Sequence, residues 1–215
     1  MTQLALSIET DTWVTATWDE YLQAIESLNS QFSHSYYQQG KYRIEMVPLG
    51  HDHGSDNNII SSAVNLFTIV RGIPAKGLVN TSYRKAGVNE FQPDLSYYIA
   101  DRAELIPYGT SIVDLNQYPA PDLVIEIATT SLADDTGAKR LLYEDLGVKE
   151  YWIVDVKQAD IIAFSMLELG SVRITQSQVL PGLEMSVLIE ALTRSRHTNQ
   201  TEVGQWLMSE FQNQT

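Results

Sequence analysis

The sequence predicts an α/β protein in which a mixed β-sheet is flanked by helices. Strand-like runs rich in Val, Ile and Tyr recur along the chain, and Leu123 to Ile127 is an almost continuous run of this kind. Segments with apolar residues at helical spacing stand before, between and after these runs. The resulting order is helix, strand, helix, several strands, helix and strands. A mixed sheet covered by helices accommodates that order most simply.

The first quarter of the chain is predicted to contain two helices and one strand. Residues 1–16 show no clear period and are expected to form a loose lead-in. Thr17 to Glu20 has the form of a capping box, which predicts the start of an amphipathic helix. Tyr42 to Val47 alternates apolar and polar residues, as a half-buried strand does. A Gly/His/Asp-rich loop over 48–57 and a second helix from Ile59 to Val70 are expected to follow.

The middle of the chain is predicted to be rich in strands. Leu78 to Tyr83 and Leu95 to Ala100 are predicted strands, separated by a polar, turn-like segment from Lys85 to Gln92. Residues 101–120 contain several Pro and Gly breakers and predict a long connection. The apolar run from Leu123 to Ile127 is typical of a central strand that is buried on both faces.

A third helix is predicted from Ser131 to about Leu146, because cap residues precede it and Gly147 follows it. Its core face is predicted to consist of Ala138, Leu141, Leu142 and Leu146. Tyr151 to Val156 and Ile161 to Leu167 are predicted strands, with Val172 to Leu180 as a further strand. A C-terminal helix is predicted over about 199–212.

Composition and length limit the class of protein. The chain has 215 residues and no internal repeat, low-complexity segment or linker, so we expect residues 1–215 to form one domain. The absence of cysteine excludes disulfide frameworks, thiolate zinc sites and cysteine nucleophiles. No apolar run reaches the roughly 18 residues of a membrane span, and the first residues do not resemble a signal peptide. We therefore expect a cytoplasmic protein without membrane contact.

The charge balance argues against a protein that holds nucleic acid over a wide surface. The net charge is −13, from 27 acidic and 14 basic residues. Proteins that bind nucleic acid mainly through its phosphates carry a basic footprint, which this composition lacks overall. A local basic cluster, or metal ions bound between carboxylates, could still attract a phosphate. No P-loop, dinucleotide-binding or serine-hydrolase motif is present.

Acidic residues stand at positions where a carboxylate is energetically costly. Glu126 lies inside the predicted central strand, where a carboxylate must be paired, hydrogen-bonded or bound to a metal. Asp94 and Asp122 each follow a proline and directly precede a predicted strand. Lys139 lies on the next predicted helix, and Glu45 is the lone acid of an earlier strand. A strand–loop–helix unit can bring the lysine ammonium back over the end of the strand.

Two acids and a lysine that converge from separate elements suit phosphodiester hydrolysis. Carboxylates hold Mg²⁺ or Mn²⁺ through hard oxygen ligands. Such a cation polarises the phosphate and lowers the pKa of bound water. A lysine can position the water or offset negative charge in the transition state.

The order and spacing of several short motifs resemble those of the Uma2 family, also called DUF820, a cyanobacterial type of PD-(D/E)XK restriction-endonuclease-like protein. The resemblance covers about residues 17–185. The matching motifs are Arg43 to Pro48, His53, Pro93 to Ile99, Pro121 to Glu126, Lys139, and Tyr143 to Asp155.

The resemblance implies a restriction-endonuclease-like fold and a metal-dependent endodeoxyribonuclease. It implies that Asp94 and Glu126 bind Mg²⁺ or Mn²⁺ and that Lys139 is the catalytic lysine. DNA is the implied partner, and cutting both strands of a duplex favours a homodimer. One departure concerns the position two after Glu126, which is Ala128 where many relatives carry an acid.

Four further residues complete the predicted site. Glu45 is expected to be an additional metal ligand. His53, Asp122 and Tyr143 are expected to support the centre.

Structural alternatives stay open for each acid. Glu126 could pair with Lys139 or an arginine in an ion pair that specifies the fold. Asp94 and Asp122 could cap turns after their prolines. Glu45 could occupy an exposed position on an edge strand. For the whole chain, the alternative is a catalytically inactive nuclease-fold module that binds or regulates.

Overall fold

The protein is described by a computed structural model over residues 9–28, 33–46 and 50–213. In chain order the strands are β1 (Trp13–Thr15), β2 (Ser33–Gln38), β3 (Lys41–Met46), β4 (Ala75–Val79), β5 (Tyr83–Lys85), β6 (Asn89–Phe91), β7 (Leu95–Ile99), β8 (Val113–Asp114), β9 (Leu123–Ala128), β10 (Glu150–Asp155), β11 (Asp160–Leu167) and β12 (Gly170–Ile174). The helices are α1 (Trp18–Ser27), α2 (His51–Arg71), α3 (Leu132–Asp134), α4 (Arg140–Asp145), α5 (Met185–Ser195) and α6 (Gln200–Asn213). A π-helical turn, Asp135–Lys139, joins α3 to α4.

The strands form two six-stranded sheets. The first has the order β1-β3-β2-β6-β5-β8, and the second has the order β12-β11-β10-β9-β7-β4. In the first sheet β5 and β8 run parallel, and in the second β9 and β10 do; the other pairs are antiparallel. The predicted α/β class with a mixed sheet and flanking helices is confirmed, although the strands divide between two sheets.

Strand β9 lies inside the second sheet, and all six of its residues are buried. Leu123 and Ile125 pack in one core with the apolar faces of α2, α5 and α6. Val124 belongs to a second core with Tyr36 of the first sheet. Because side chains alternate along a strand, Glu126 shares the face of Val124 and points into the space between the two sheets.

Several predicted elements agree with the structure. Thr17 caps α1 through a complete capping box with Glu20. The predicted strands that became β7, β10 and β11, and the predicted C-terminal helix, α6, agree within one residue at each end. None of the described helices has the length and apolar character needed to cross a membrane.

The predicted loop over 48–57 is wrong where the structure describes it, because α2 begins at His51. Asp56 is fully buried in the first turns of this helix, and Arg196 at the end of α5 holds it with an Nη2–Oδ2 distance of 2.6 Å. The start of α2 therefore buries an ion pair instead of an apolar stripe, so periodicity does not reveal it. Residues 47–49, including the ends of the predicted strand and motif there, lie outside the described residues.

The third helix is predicted at the right place, but its core face is only partly as predicted, since Leu142 is buried and Leu141 is not. Leu141, predicted to be buried, is 50% exposed, whereas Lys139 is 1% exposed. The π-helical turn before α4 contains one residue more than an α-helical turn. One extra residue rotates the following side chains by about 100° relative to a continuous α-helix. The turn therefore directs the lysine inward.

The remaining differences concern short elements. Part of the predicted lead-in forms β1, and β2 and α5 were not predicted. The predicted strand at 78–83 corresponds to the separate strands β4 and β5, and the turn-like segment at 85–92 contains β6. The predicted strand at 172–180 ends at Ile174. Strands of two to six residues give little periodicity, and pairing with neighbours decides their limits.

Candidate active site between the sheets

A cavity of about 310 Å³ lies where the end of β9 meets β2, β3 and the start of α2. Its lining includes Asp94, Glu126, Lys139, Glu45 and His53, which are five of the seven residues in the predicted site. A larger cavity of about 620 Å³ is lined by none of those seven. The chemistry of the lining, not the volume, therefore identifies the candidate site.

Asp94 directly precedes β7, and its side chain is buried. The backbone N–H of Ile127 donates to its Oδ2 at 2.8 Å, which fixes the carboxylate against the end of β9. On the other oxygen, Oδ1, His53 Nε2 lies at 3.3 Å and His34 Nδ1 at 4.0 Å. Burial alone raises the pKa of Asp94, but the His53 hydrogen bond and the two histidines outweigh it and hold the pKa below its usual value. Asp94 is therefore poised as an anion.

Glu126 is 2% exposed and lies between two tyrosine hydroxyls. Tyr143 donates to its Oε1 at 2.6 Å, and the Tyr36 hydroxyl lies 3.0 Å from the same atom. Within the described residues, Oε2 receives no hydrogen bond. Burial, only partly offset by Lys139, raises the pKa of Glu126 well above its usual value. A cation beside Oε2 would stabilise the ionised form.

Lys139 Nζ lies among three carboxylates. It is 2.7 Å from Glu45 Oε2, 2.9 Å from Asp135 Oδ1 and 3.8 Å from Glu126 Oε1. The ammonium also lies over the ring of Tyr36, 4.3 Å from its centroid. Burial lowers the pKa of Lys139, but the surrounding carboxylates outweigh burial and raise it well above its usual value. The lysine is therefore a fixed cation beside Glu126.

Glu45 does not occupy an exposed edge position, since its side chain is 12% exposed. Arg43 Nε donates to its Oε1 at 2.6 Å while Lys139 engages Oε2. Arg43 also pairs with Asp134 at 3.1 Å. Both oxygens of Glu45 are therefore contacted by cationic side chains, and its role as a metal ligand stays a prediction.

Asp122 lies just before β9, at the end opposite the cavity. Its carboxylate accepts from the backbone N–H of Ile99 at 2.9 Å, from Arg102 at 2.5 Å and from Lys149 at 2.7 Å. The rise of a strand places Asp122 about 13 Å along the chain from Glu126. It lines a different cavity, so the structure does not bring it to the predicted site.

Two residues of the cavity and one beside it were not singled out from the sequence. His34 and Thr129 line the cavity, and Asp135 contacts Lys139. The i,i+4 spacing of Asp135 and Lys139 was a usable signal, since such residues share a helix face. His34 belongs to β2, which was not predicted, so no expected face included it.

The donor set at the cavity fits a hard divalent cation with few protein ligands. Asp94 and Glu126 offer carboxylate oxygens to one cavity, and Mg²⁺ typically binds through one or two carboxylates, waters and substrate phosphates. The described residues contain no group of three or more His, Asp or Glu side chains arranged to hold a metal. His51, close to His53 in sequence, has a 90% exposed side chain and pairs with Asp52.

Comparison with known proteins finds a matching family and a solved structure with a similar fold. The model of the Uma2 family, described as "putative restriction endonuclease", matches residues 18–195. A crystal structure of a "putative nuclease belonging to DUF820" from Anabaena variabilis ATCC 29413 is similar in fold, with a TM-score of 0.53 and 20% identity. The likeness covers 89% of this chain and 98% of that one. No curated protein matches.

Proposed function

The chain belongs to the Uma2 family, and we propose that it is a metal-dependent endodeoxyribonuclease with its centre at Asp94, Glu126 and Lys139. The observation that carries this proposal is their convergence. Two buried carboxylates and one buried lysine, from β7, β9 and the π-helical turn, line a single cavity. Charged side chains are rarely fully buried, and a cluster of them with perturbed pKa values in a cleft is typical of a functional site.

Asp94 and Glu126 would hold the cation, Mg²⁺ or Mn²⁺. When bound, the cation would polarise the phosphate and lower the pKa of water. Tyr143 and Tyr36 hold Oε1 of Glu126, which leaves Oε2 for the cation. His53 would hold Asp94 in place, because its Nε2 lies 3.3 Å from Asp94 Oδ1.

Lys139 would supply positive charge beside the reacting phosphate. In the reaction a water oxygen forms a bond to phosphorus and loses a proton, while the bond from phosphorus to the leaving deoxyribose oxygen breaks and that oxygen takes up a proton, so that one water is consumed. Negative charge grows on the phosphate oxygens during this exchange, and a fixed ammonium stabilises it. Glu45 and Asp135 would position the lysine, because both contact its Nζ.

The charges of the cavity explain why a cation would be required. Its lining contains the acidic residues Asp11, Glu45, Asp94, Glu126 and Asp134 and the basic residues Arg43 and Lys139. A phosphate would be repelled by this excess of carboxylates unless divalent cations entered with it. Cleavage of both strands of a duplex would further require two such centres, which we propose a homodimer supplies.

A second candidate function is an inactive binding or regulatory module. The saturation of Lys139 by carboxylates favours it, because an ion-paired network can persist for structural reasons alone. The two functions differ in their response to metal. A ligand that binds only the folded state raises the melting temperature, so an active centre should be stabilised by Mg²⁺ or Mn²⁺ and an inactive module should not.

The test is cleavage of supercoiled plasmid and labelled oligonucleotides by the purified full chain. Mg²⁺ or Mn²⁺ should support cleavage, EDTA should abolish it, and Glu126→Gln should remove it with the fold intact. Absence of cleavage in the wild-type chain, together with an unchanged melting temperature in both metals, would favour the inactive module.

A further inference from the structure

The cavity contains buried polar atoms that no described residue satisfies. They are His34 Nε2, His53 Nδ1 and Thr129 Oγ1. A buried polar atom without a partner destabilises the folded state, because it has lost its hydrogen bonds to water. Such atoms are rare in folded proteins, and several at one cavity call for a polar partner, which can be water, an ion or a ligand.

The cationic side chains of the cavity are already engaged. Arg43 contacts Glu45 and Asp134, and Lys139 contacts Glu45 and Asp135. An anionic ligand would have to compete with carboxylates for these cations. The uncharged cavity groups have no such competitor.

His34 and His53 differ in which nitrogen is free to donate. His53 Nε2 lies 3.3 Å from Asp94 Oδ1, so a proton on that nitrogen is used there. His34 Nδ1 is 4.0 Å from the same carboxylate, beyond hydrogen-bond distance. Nε2, which has no partner among the described residues, is therefore the nitrogen of His34 that is available to donate to a ligand. His34 is 4% exposed and lies opposite Glu45 on the same face of the first sheet.

Thr129 is the first residue after β9 and opens a run of three hydroxyl side chains, 129–131, which all line the cavity. Ser131 donates to Asp135 at 2.6 Å, so its hydroxyl is already used. The hydroxyl of Thr129, by contrast, has no hydrogen-bond partner among the described residues. It stands three residues beyond Glu126.

We propose that His34 Nε2 and Thr129 Oγ1 form a phosphate subsite that receives the two non-bridging oxygens of a nucleic acid phosphodiester. The subsite rests on the proposed nuclease function and extends it to substrate binding. A phosphodiester has two such oxygens, and the cavity offers two donors that are not already paired with a carboxylate.

The first test uses inorganic phosphate as the probe, with thermal unfolding of the full chain in Mg²⁺ at constant ionic strength. Phosphate should raise the melting temperature of the wild type. His34→Gln places an amide nitrogen near the position of Nε2 and should keep the shift, whereas His34→Asn places it near Nδ1 and should lose it. Likewise Thr129→Ser should keep the shift and Thr129→Val should lose it.

The histidine pair controls for folding, since both variants remove the imidazole. His51→Asn, at an exposed histidine outside the cavity, should behave as wild type. The subsite is overturned if phosphate stabilises His34→Asn and Thr129→Val as much as the wild type, or does not stabilise the wild type.

The second test measures cleavage kinetics with an oligonucleotide. His34→Asn should raise KM by about tenfold, the loss expected for one hydrogen bond to a charged group. The metal concentration for half-maximal rate should stay unchanged. Cleavage with an unaltered KM in His34→Asn and Thr129→Val would reject the subsite while the nuclease stands. A phosphate shift that depends on His34 in a chain without cleavage would reject the nuclease alone.

Discussion

A Pro-Asp dipeptide lies at each end of β9 in different surroundings, one directly before β9 and the other directly before its neighbour β7. Pro93-Asp94 and Pro121-Asp122 both precede a strand, and both aspartates are buried. Asp122 is satisfied by a backbone N–H and by Arg102 and Lys149. Asp94 receives one backbone N–H and otherwise faces two histidines and the cavity.

The difference shows that a buried acid identifies a site only through its partners. Asp122 has cationic partners whose side chains reach solvent, Lys149 being 56% exposed, so its charge is neutralised without a ligand. Asp94 is near groups that leave room for a cation. The first end of β9 is therefore a structural ion pair, and the second is a candidate reaction centre.

The largest expected effect is a difference in kcat between substitutions of two lysines, Lys139 at the cavity end of β9 and Lys149 at the other end. Lys139→Met should reduce kcat by about 100- to 1,000-fold, because it removes the fixed charge beside the phosphate. Lys149→Met, the matched control, should leave kcat unchanged. Both are assayed by plasmid cleavage after circular dichroism has confirmed folding. Equal rates in the two variants would remove the distinction between the ends.

The second prediction concerns pH at the cavity end. Burial raises the pKa of Glu126, so its protonated form stabilises the fold at low pH, and that contribution is lost as pH rises through the raised pKa. Glu126→Gln should therefore be more stable than wild type at neutral pH without metal. Asp94 has the opposite sign: its lowered pKa gives stability that is lost as pH falls through it.

The same shift predicts the acid limb of the cleavage rate. The rate should fall by about tenfold for each pH unit below the pKa of Glu126, because the protonated acid cannot bind a cation. Higher Mg²⁺ should move the limb to lower pH, since metal and proton compete. Profiles measured at two Mg²⁺ concentrations check this, and a limb that ignores Mg²⁺ would contradict it. Asp122→Asn should leave the limb in place.

The third prediction concerns the contribution of Asp122 to the stability of the fold. Asp122→Asn should lower the free energy of unfolding by about 2 kcal/mol, the scale of hydrogen bonds to charged groups, which is about 30-fold in the unfolding equilibrium. Urea titration measures it. A stability equal to wild type would show that the ion pair with Arg102 and Lys149 contributes nothing.

The smallest effect compares two buried tyrosines beside the cavity end. Tyr143→Phe removes the donor to Glu126 and should cost about 1 kcal/mol, or about fivefold in cleavage rate. Tyr151 is packed against Tyr143, with ring centroids 4.6 Å apart, and its hydroxyl has no partner among the described residues. Tyr151→Phe should therefore change neither the free energy of unfolding nor the cleavage rate.

Residues of the candidate site could be predicted from the sequence where burying that residue type is energetically unfavourable. Glu126 was found because a carboxylate inside an apolar strand needs a partner. The role of Lys139 was predicted, but its burial was not, since a π-helical turn leaves no periodic trace. His34 and Thr129 were missed because their relevance depends on contacts between distant segments.

The fold, like the candidate site, was predicted from the sequence only in part. Long apolar runs such as β9 and β10 were predicted correctly, because burial on both faces leaves a clear pattern. The division into two sheets was not, since the first sheet consists of strands of two to six residues. The start of α2 was missed because Asp56 is stabilised by Arg196, 140 residues away in sequence.

The most direct test of the central claim compares Asp94→Asn with Asp122→Asn in metal-dependent plasmid cleavage. Each substitution removes the charge of a buried aspartate that follows a proline, Asp94 before β7 and Asp122 before β9. Both variants are assayed under conditions in which they are folded. We predict that Asp94→Asn shows no cleavage in Mg²⁺ or Mn²⁺ while Asp122→Asn cleaves at the wild-type rate. Cleavage by Asp94→Asn at the wild-type rate, or its loss in folded Asp122→Asn, would contradict the assignment of the reaction centre.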